Sequence, residues 1–206
     1  MWSRVYPIVD TGACAARGLD PLHVAEACLR GGARVLQLRV KERGSAAFLD
    51  LARRTRELTS GFGARLIVND RTDLALLAGA DGVHVGQDDL PVAQVRKLAG
   101  PDFIVGLSTH TAEQVNAAAR DAVSYIAVGP VFGTSTKDTG YTARGLDLVR
   151  QAAATGVPVV AIGGITLANA PSVIEAGATS VAVITDLFEG DDVAGRTRAY
   201  LSALAR

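Results

Sequence analysis

The sequence is poor in cysteine and carries no long apolar run. Its two cysteines, Cys14 and Cys28, match no metal-ligand spacing, and such sparse use is typical of a reducing compartment. The N-terminal stretch lacks the apolar region of a secretory signal, so we expect a cytoplasmic protein. No apolar run approaches the roughly 18 residues of a membrane span, and we predict no membrane partner.

Net charge and aromatic residues are also scarce. Lys and Arg together number 21, as do Asp and Glu, so the formal net charge is zero. Nucleic-acid-binding domains usually carry a basic excess, so we expect no nucleic-acid partner. Aromatic residues make up 5% of a chain that is 49% hydrophobic, so Ala, Val, Leu and Ile must form most of the core. We predict one domain over residues 1–206 that needs no disulfide.

Eight short apolar runs recur along the chain at regular spacing. They are rich in β-branched residues and bounded by Gly, Pro or polar residues, which is typical of strands buried on both faces. The runs are Val5–Asp10, Arg34–Arg39, Arg65–Asp70, Gly82–Gly86, Phe103–Ser108, Tyr125–Val131, Pro158–Gly164 and Ser180–Thr185. Intervening stretches such as Ala46–Ser60 and Thr111–Arg120 have helical periodicity. The pair Gly31-Gly32, Gly79 and Gly177 precede strands and are predicted to supply left-handed helix ends.

Eight alternating strand and helix units fit either a closed (β/α)8 barrel or an open doubly wound sheet. The first strand is not followed by the GxGxxG fingerprint of dinucleotide-binding open sheets. We therefore predict an α/β protein with the (β/α)8 TIM-barrel fold, and the modest length predicts short loops. Functional side chains of such barrels lie where the C-terminal ends of the strands meet, at the mouth.

Polar residues follow several of the predicted strands at the end that would form this mouth. They include Gln37, Arg39, Lys41, Asn69, Asp70, Asp88, Asp89, Ser108, His110, Thr134, Ser135, Thr136, Lys137 and Thr185. Cations beside carboxylates suit a polyphosphate bound with Mg²⁺, which takes one or two carboxylates and completes its shell with phosphate oxygens. Asp70 and Asp89 are the candidate ligands, and the alternative is that each caps the helix that follows it. Asp88 is expected to be a solvated neighbour.

Gly163 and Gly164 predict a second anion site. Barrels often bind a phosphate between the loops that follow strands seven and eight, and a tight strand exit without a ligand is the alternative. We expect the hydroxyl groups of residues 134–136 to lie between the two anion sites, although such a stretch can also be a plain polar loop.

Amide, hydroxyl and imidazole groups add further candidates at the mouth. Gln37 and Asn69 could bind an aminopyrimidine edge or make ordinary barrel-end hydrogen bonds, and Ser108 leaves the same alternatives open. His110 could transfer protons or be a polar surface residue. His84, inside the fourth strand, has no predicted partner.

Motifs in the same segments resemble the thiamine-phosphate synthase family. In chain order they read YPIVD, QLRVK, VND, GVHVGQDDLP, GLSTH, GPVFGTSTK, AIGGI and VAVIT. The resemblance implies a Mg²⁺-dependent transferase with two small-molecule substrates. It would join 4-amino-2-methyl-5-pyrimidinylmethyl diphosphate to 4-methyl-5-(2-phosphoethyl)thiazole, or its carboxylate form, giving thiamine phosphate and diphosphate. Diphosphate would leave first, and the thiazole nitrogen would capture the resulting cation.

The resemblance also implies roles for individual residues. The pyrimidine diphosphate would contact Gln37, Leu38, Arg39, Val40, Lys41, Asn69, Ser108 and Lys137. Within this set, Arg39, Lys41, Ser108 and Lys137 would be catalytic. Asp70 and Asp89 would bind Mg²⁺. The thiazole phosphate would contact Thr134, Ser135, Thr136, Gly164, Ile184 and Thr185.

The chain departs from the family pattern at three places. Val40 stands where Glu is common, Gly133 where Pro is common, and Thr185-Asp186 where Ser-Ala is common. The carboxylate of Asp186 would repel a phosphate unless its side chain turns away.

Two other functions stay open at this point: a thiazole tautomerase of the same fold and a non-catalytic barrel that binds a phosphate ligand. The paired Asp70 and Asp89, with Pro130 in GPVF, favour the synthase over the tautomerase. A homo-oligomer is possible.

Overall fold

Eight parallel strands close into a barrel in the computed structural model, which describes residues 3–41, 43–133 and 142–205. The strands are β1 (Val5–Asp10), β2 (Val35–Arg39), β3 (Arg65–Asn69), β4 (Gly82–Val85), β5 (Ile104–Thr109), β6 (Tyr125–Val128), β7 (Val159–Ala161) and β8 (Ser180–Val183). Each strand pairs with the next along the chain, and β8 closes the barrel on β1 with Val181 opposite Val5. The predicted (β/α)8 barrel is confirmed.

Helices surround the barrel. They are α1 (Thr11–Ala15), α2 (Pro21–Arg30), α3 (Ser45–Gly61), α4 (Thr72–Leu77), α5 (Val92–Ala99), α6 (Ala112–Ala118), α7 (Gly145–Ala153), α8 (Ala170–Glu175), the 3₁₀ helix η1 (Thr185–Phe188) and α9 (Val193–Ala203). Gly32, Gly79 and Gly177 have φ of 103°, 66° and 103°, as predicted for left-handed helix ends. Among the residues described, no helix combines the length and the apolar character that a membrane crossing requires.

Most strands are shorter than predicted, β6 and β7 most of all, and the exits of these two shape the mouth. The sixth ends at Val128 rather than Val131, because Pro130 has no N–H to continue the ladder. The seventh ends at Ala161 rather than Gly164, because Gly163 and Gly164 adopt φ of 101° and 61°, outside the strand region.

Two apolar cores hold the fold together. The larger lies between the barrel and the helices, where Leu38 of β2 and Phe48 of α3 belong to one buried cluster. The smaller fills the barrel and consists of Tyr6, Ile8, Val35, Ile67, Ile104, Tyr125, Ala127, Val160 and Ala182. Because side chains alternate between the two faces of a strand, only every second residue faces the interior and the mouth.

Candidate active site at the barrel mouth

A cavity of about 460 Å³ opens at the C-terminal ends of the strands. Ten residues predicted from the sequence line it, namely Gln37, Arg39, Lys41, Asn69, Asp70, Asp89, Ser108, Gly164, Ile184 and Thr185. The chain segments that carry them are far apart in sequence and meet here because all eight strands are parallel. The cavity is lined in addition by residues without a predicted role, chiefly Tyr6, Ile8, His84 and Tyr125.

The alternation along β2 divides its predicted residues into two groups. Gln37, Arg39 and Lys41 line the cavity. The side chains of Leu38 and Val40 belong to the core between barrel and helices, so only their backbone groups can face a ligand. The valine that replaces the common glutamate therefore packs in apolar surroundings.

Four of the predicted residues cannot be placed in this geometry. Thr134, Ser135, Thr136 and Lys137 lie outside the residues that the structure describes.

Arg39 forms an ion pair with Asp10 at the end of β1, a residue for which the sequence predicted no role. The side chains are only 17% and 8% exposed, so the pair is largely removed from water. The other carboxylate oxygen of Asp10 accepts a hydrogen bond of 2.8 Å from the N–H of Ala13 and caps α1. Asp10 thus holds the guanidinium of Arg39 and the start of a helix together.

Asp70 and Asp89 interact directly across the loops that follow β3 and β4, and Lys41 forms an ion pair with Asp70. Burial by itself would raise the pKa of Asp70, but the hydrogen bond and charge of Lys41 outweigh it and lower that pKa. Burial raises the pKa of Asp89, and the negative charge of Asp70 raises it further, against the N–H of Gly86, which lowers it. Two carboxylates held this close favour a cation between them.

Asp70 has an unusual backbone conformation. Within the described ranges it is the only non-glycine residue with positive φ, at 63°, and its N–H donates to the carbonyl of His84 over 2.7 Å. Asp tolerates this left-handed conformation better than most residues do. Strain of this kind persists where the surroundings enforce it, and often at functional sites.

Neither aspartate caps the helix that follows it. The capping positions of α4 and α5 are Arg71 and Pro91, and neither helix has a side-chain cap. Asp89 instead accepts a hydrogen bond of 2.8 Å from the N–H of Gly86. The capping alternative is therefore wrong.

The donor set fits Mg²⁺ better than a metal held by protein alone. Within residues 3–41, 43–133 and 142–205, no group of three or more His, Cys, Asp or Glu side chains could enclose an ion. Two carboxylates open to a cavity match an ion that takes most of its remaining ligands from water and phosphate.

A row of hydrogen-bonded polar side chains forms the floor of the cavity, below the charged residues of the mouth. Tyr6 and Tyr125 meet with their hydroxyl oxygens 3.0 Å apart. His84 lies between Tyr125 Oη and Ser108 Oγ, 2.9 Å from each. Gln37 Nε2 donates to Tyr6 Oη over 3.3 Å. The sequence did not predict this arrangement. Its one signal was that His84 must lie on the face of β4 opposite to Val83 and Val85, which in the structure pack between barrel and helices.

His110 lies half-buried at the cavity wall rather than on an open surface, and its Nδ1 is 2.6 Å from the carbonyl oxygen of Gly129. Asn69 ends β3 at the wall, buried and in reach of the same space. Asp88 is exposed, as expected.

The glycine pair after β7 presses against the loop after β6. A Cβ on Gly164 would lie 2.4 Å from the carbonyl oxygen of Gly133, and one on Gly163 would lie 2.6 Å from Cα of Pro130. Asn169 donates through Nδ2 to the Gly164 carbonyl over 3.0 Å and accepts from the N–H of Thr166 over 2.8 Å. Only glycine satisfies both the backbone angles and this close approach.

Asp186 turns away from the cavity. Its carboxylate accepts hydrogen bonds from Arg196 over 3.0 and 2.8 Å and another from the hydroxyl of Tyr200, both on α9. The side chain is buried, and Arg196 balances its negative charge within the protein. The repulsion expected between Asp186 and a phosphate is thus removed by its pairing with Arg196.

The closed barrel, with paired carboxylates and cations gathered at its mouth, places this chain among the (β/α)8-barrel enzymes. The chain belongs to the thiamine monophosphate synthase family, whose model matches residues 5–187. The resemblance seen in the sequence is thereby confirmed.

Individual relatives agree with this assignment. The chain is 45% identical to the thiamine-phosphate synthase of Roseiflexus castenholzii over 203 residues, which cover 98% of this chain and 88% of the relative. It is 47% identical to the enzyme of the same name from Laribacter hongkongensis, covering 94% and 92%. Among solved structures, thiamine phosphate pyrophosphorylase from Pyrococcus furiosus superposes with a TM-score of 0.88 at 30% identity, covering 98% and 95%.

Proposed function

We propose that the chain is a thiamine-phosphate synthase, joining a pyrimidinylmethyl diphosphate to a thiazole phosphate with release of diphosphate. The observation that carries this proposal is the convergence of Arg39, Lys41 and the Asp70–Asp89 pair on one cavity. Relatives at 45% and 47% identity that bear this name support the same activity.

The cations of β2 would hold the diphosphate. Arg39 and Lys41 extend from alternate positions of one strand edge, so both can donate to the same group. Their hydrogen bonds strengthen as negative charge collects on the departing diphosphate, which lowers the barrier to its departure. Lys137 keeps the same role in this proposal.

Asp70 and Asp89 would hold Mg²⁺. When bound, this ion would neutralise charge on the diphosphate oxygens. Lys41 already neutralises part of the charge of Asp70, so the three groups form one electrostatic unit.

Side chains deeper in the cavity would bind the pyrimidine ring and surround the cation that forms when diphosphate leaves. Gln37, Asn69 and Ser108 would bind the pyrimidine. The aliphatic side chains of Ile8, Val160 and Ile162 line the same cavity and would give a reactive cation apolar neighbours in place of water. Exclusion of water would favour capture by the thiazole nitrogen over hydrolysis.

The thiazole phosphate would bind on the opposite wall. Gly164, Ile184 and Thr185 line the cavity after β7 and β8, where backbone and hydroxyl groups can donate to a phosphate. Thr134, Ser135 and Thr136 would complete this proposed subsite. Holding two substrates in line supplies a large part of the rate.

The direct test is incubation with both substrates and Mg²⁺, followed by mass-spectrometric detection of thiamine phosphate and diphosphate. We expect both products in equal amounts, with a rate that depends on Mg²⁺. A tautomerase would change the thiazole phosphate without releasing diphosphate, and a binding protein would retain the substrates unchanged. Either result would overturn the proposal. A cytoplasmic location and a homo-oligomeric state stay predictions.

A further inference from the structure

Five polar side chains form one hydrogen-bonded chain across the barrel floor, which we call the floor chain. In order they are Gln37, Tyr6, Tyr125, His84 and Ser108, from β2, β1, β6, β4 and β5. The four links measure 3.3, 3.0, 2.9 and 2.9 Å. The floor chain therefore links two residues proposed to bind the pyrimidine, one at each end.

One arrangement of hydrogens satisfies every link of the floor chain in the direction from Gln37 to Ser108. Gln37 donates to Tyr6, and each tyrosine has one hydroxyl hydrogen to pass on. Burial raises the pKa of Tyr6 and of Tyr125, so both hydroxyls stay protonated. In this arrangement Tyr6 donates to Tyr125, and Tyr125 donates to Nδ1 of His84, two links whose distances alone are compatible with either atom as the donor. A neutral imidazole that accepts at Nδ1 carries its hydrogen on Nε2 and donates it to Ser108.

Ser108 is thereby given a defined role in hydrogen bonding. Its Oγ accepts from His84, so its own hydroxyl hydrogen is left to point elsewhere, and the residue lines the cavity. An acceptor on a ligand would receive that hydrogen. The floor chain thus makes Ser108 a donor toward the cavity.

Gly106 on β5 makes the floor chain possible. A Cβ at this position would lie 2.0 Å from Cζ and 2.3 Å from Oη of Tyr125, so no side chain fits while the tyrosine keeps its place. The ring of Tyr125 also stacks on His84, with centroids 5.5 Å apart and planes 15° apart. Tyr125 therefore occupies the space that a side chain at residue 106 would need.

We propose that Tyr125, seated in the space left by Gly106, is a positioning residue that acts through His84 to hold Ser108 as a hydrogen-bond donor toward the substrate. The inference rests on the proposed function for the identity of the substrate. The direction of the floor chain is a property of the protein alone and is tested without substrate.

Nitrogen NMR of the wild-type protein tests the direction. We expect the ¹⁵N shifts of His84 to show hydrogen on Nε2 and none on Nδ1, with the signal identified by its loss in His84→Asn. In Tyr125→Phe, the Nδ1 signal should shift because its donor is gone. A His84 that carries hydrogen on Nδ1, or on both nitrogens, would overturn the proposal whether or not the protein makes thiamine phosphate.

A double-mutant cycle tests the action through Ser108. Tyr125→Phe keeps the ring and removes the hydroxyl, and we expect kcat/KM for coupling to fall about tenfold, the loss of one buried hydrogen bond. In a Ser108→Ala background the same change should cost less than about twofold, because its target is already absent. Losses that multiply in full would show that Tyr125 acts independently of Ser108, and the proposal would be wrong.

Two matched controls separate position from packing. Thr55→Val removes a buried hydroxyl in α3 that donates to the carbonyl of Leu51, away from the cavity, and should leave coupling unchanged. Gly106→Ala should reduce coupling at least as much as Tyr125→Phe does. Gly61→Ala, where a Cβ meets nothing within 4 Å, should have no effect. Wild-type coupling in folded Gly106→Ala, shown by circular dichroism, would contradict the role of Gly106.

Discussion

At the scale of single residues, two cations of the mouth already have carboxylate partners before a substrate binds. Arg39 forms its pair with Asp10, which is buried, whereas Lys41 forms its pair with the more exposed Asp70. A guanidinium held by a buried partner loses less side-chain freedom when a diphosphate arrives. Asp10 and Asp70 therefore differ in role, the first orienting a cation and the second sharing charge with one.

The Asp10→Asn variant tests the first role. The amide oxygen of the introduced side chain can still cap α1, but the charge that holds Arg39 is gone. Because Arg39 keeps some contact with the cavity, we expect a loss of about 2 kcal/mol in the free energy of unfolding, below the cost of breaking a fully buried pair. We also expect kcat/KM to fall about tenfold. Urea unfolding and steady-state kinetics check these values.

Asp20→Asn is the matched control for Asp10→Asn, since Asp20 caps α2 from an exposed position. It should change neither stability nor kcat/KM appreciably. Added inorganic diphosphate should stabilise Asp10→Asn less than wild type, because Arg39 is no longer held in place to bind it. Equal stabilisation would show that Asp10 does not orient Arg39 for the anion.

The Asp70→Asn variant tests the metal assignment. Asn accepts the left-handed backbone of this position, so the loop should keep its shape. We expect the Mg²⁺ concentration for half-maximal rate to rise at least about tenfold. Rates measured across Mg²⁺ concentrations at saturating substrates check this. Asp73→Asn removes an exposed carboxylate paired with Arg71 and should change nothing. An unchanged Mg²⁺ requirement in Asp70→Asn would remove Asp70 from the ligand set.

At the scale of elements, the loops after β7 and β8 are fixed by contacts behind them. Asn169 braces the loop after β7, and Asp186 ties η1 to α9 through Arg196 and Tyr200. Thr185 directly precedes Asp186, so the tie also fixes the part of the chain proposed to meet the thiazole phosphate.

The Asp186→Ala variant should be strongly destabilised. It leaves Arg196 and the Tyr200 hydroxyl without their carboxylate partner, and because Arg196 is 23% exposed we expect a loss of about 2–3 kcal/mol, below the cost of breaking a fully buried pair. Asp147→Ala breaks an exposed pair with Arg150 and should cost at most about 1 kcal/mol. Urea unfolding of both variants measures the contrast. A similar small loss in both would mean that Asp186 contributes no more than a surface pair.

Gly164→Ala and Gly156→Ala separate backbone conformation from close approach. Both glycines have positive φ, at 61° and 79°, but a Cβ at residue 156 meets nothing within 4 Å. Gly156→Ala should cost about 1–2 kcal/mol for the left-handed backbone alone. Gly164→Ala should cost more and should also weaken binding of the thiazole phosphate, measured by calorimetry. Equal effects of the two changes would show that the close approach of Gly164 to Gly133 contributes neither to stability nor to binding.

At the scale of the whole molecule, folding buries groups that would ionise readily in the unfolded chain. Burial raises the pKa of the Cys14 thiol from 9.0 to about 11 and that of Cys28 to about 12. The folded protein thus keeps protons that the unfolded chain releases above pH 9. Stability contributed by these thiols is complete below pH 9 and is lost as the pH rises towards 12.

This linkage predicts a steep alkaline transition. Between pH 9 and 11, each thiol should lower the free energy of unfolding by up to about 1.4 kcal/mol per pH unit. Urea unfolding in reductant at pH 8, 9 and 10 measures the slope. Cys28→Ala should be less stable at pH 8 but show a shallower slope, because one of the two thiols is gone. A slope equal to that of wild type would contradict the assignment.

Local patterns along the chain were sufficient to predict much of this architecture. The alternation of apolar runs and helical stretches predicted eight strand–helix units, because burial on two faces and on one face leave different periods in a sequence. Polar residues at strand ends, together with the family resemblance, predicted ten residues that line the cavity, since parallel strands bring those ends together. The single domain over residues 1–206 stays a prediction.

The side-chain pairs between remote strands and helices could not be predicted, because hydrophobic periodicity and composition describe only residues that are neighbours along the chain. Asp10 beside Arg39, Tyr125 beside His84 and Asp186 beside Arg196 join strands or helices that no local pattern connects. The sequence by itself determined many of the side chains that reach the mouth, because they follow strands whose C-terminal ends meet there. Only the tertiary structure decided what each of them pairs with, because barrel closure sets the distances between strands that are remote in sequence.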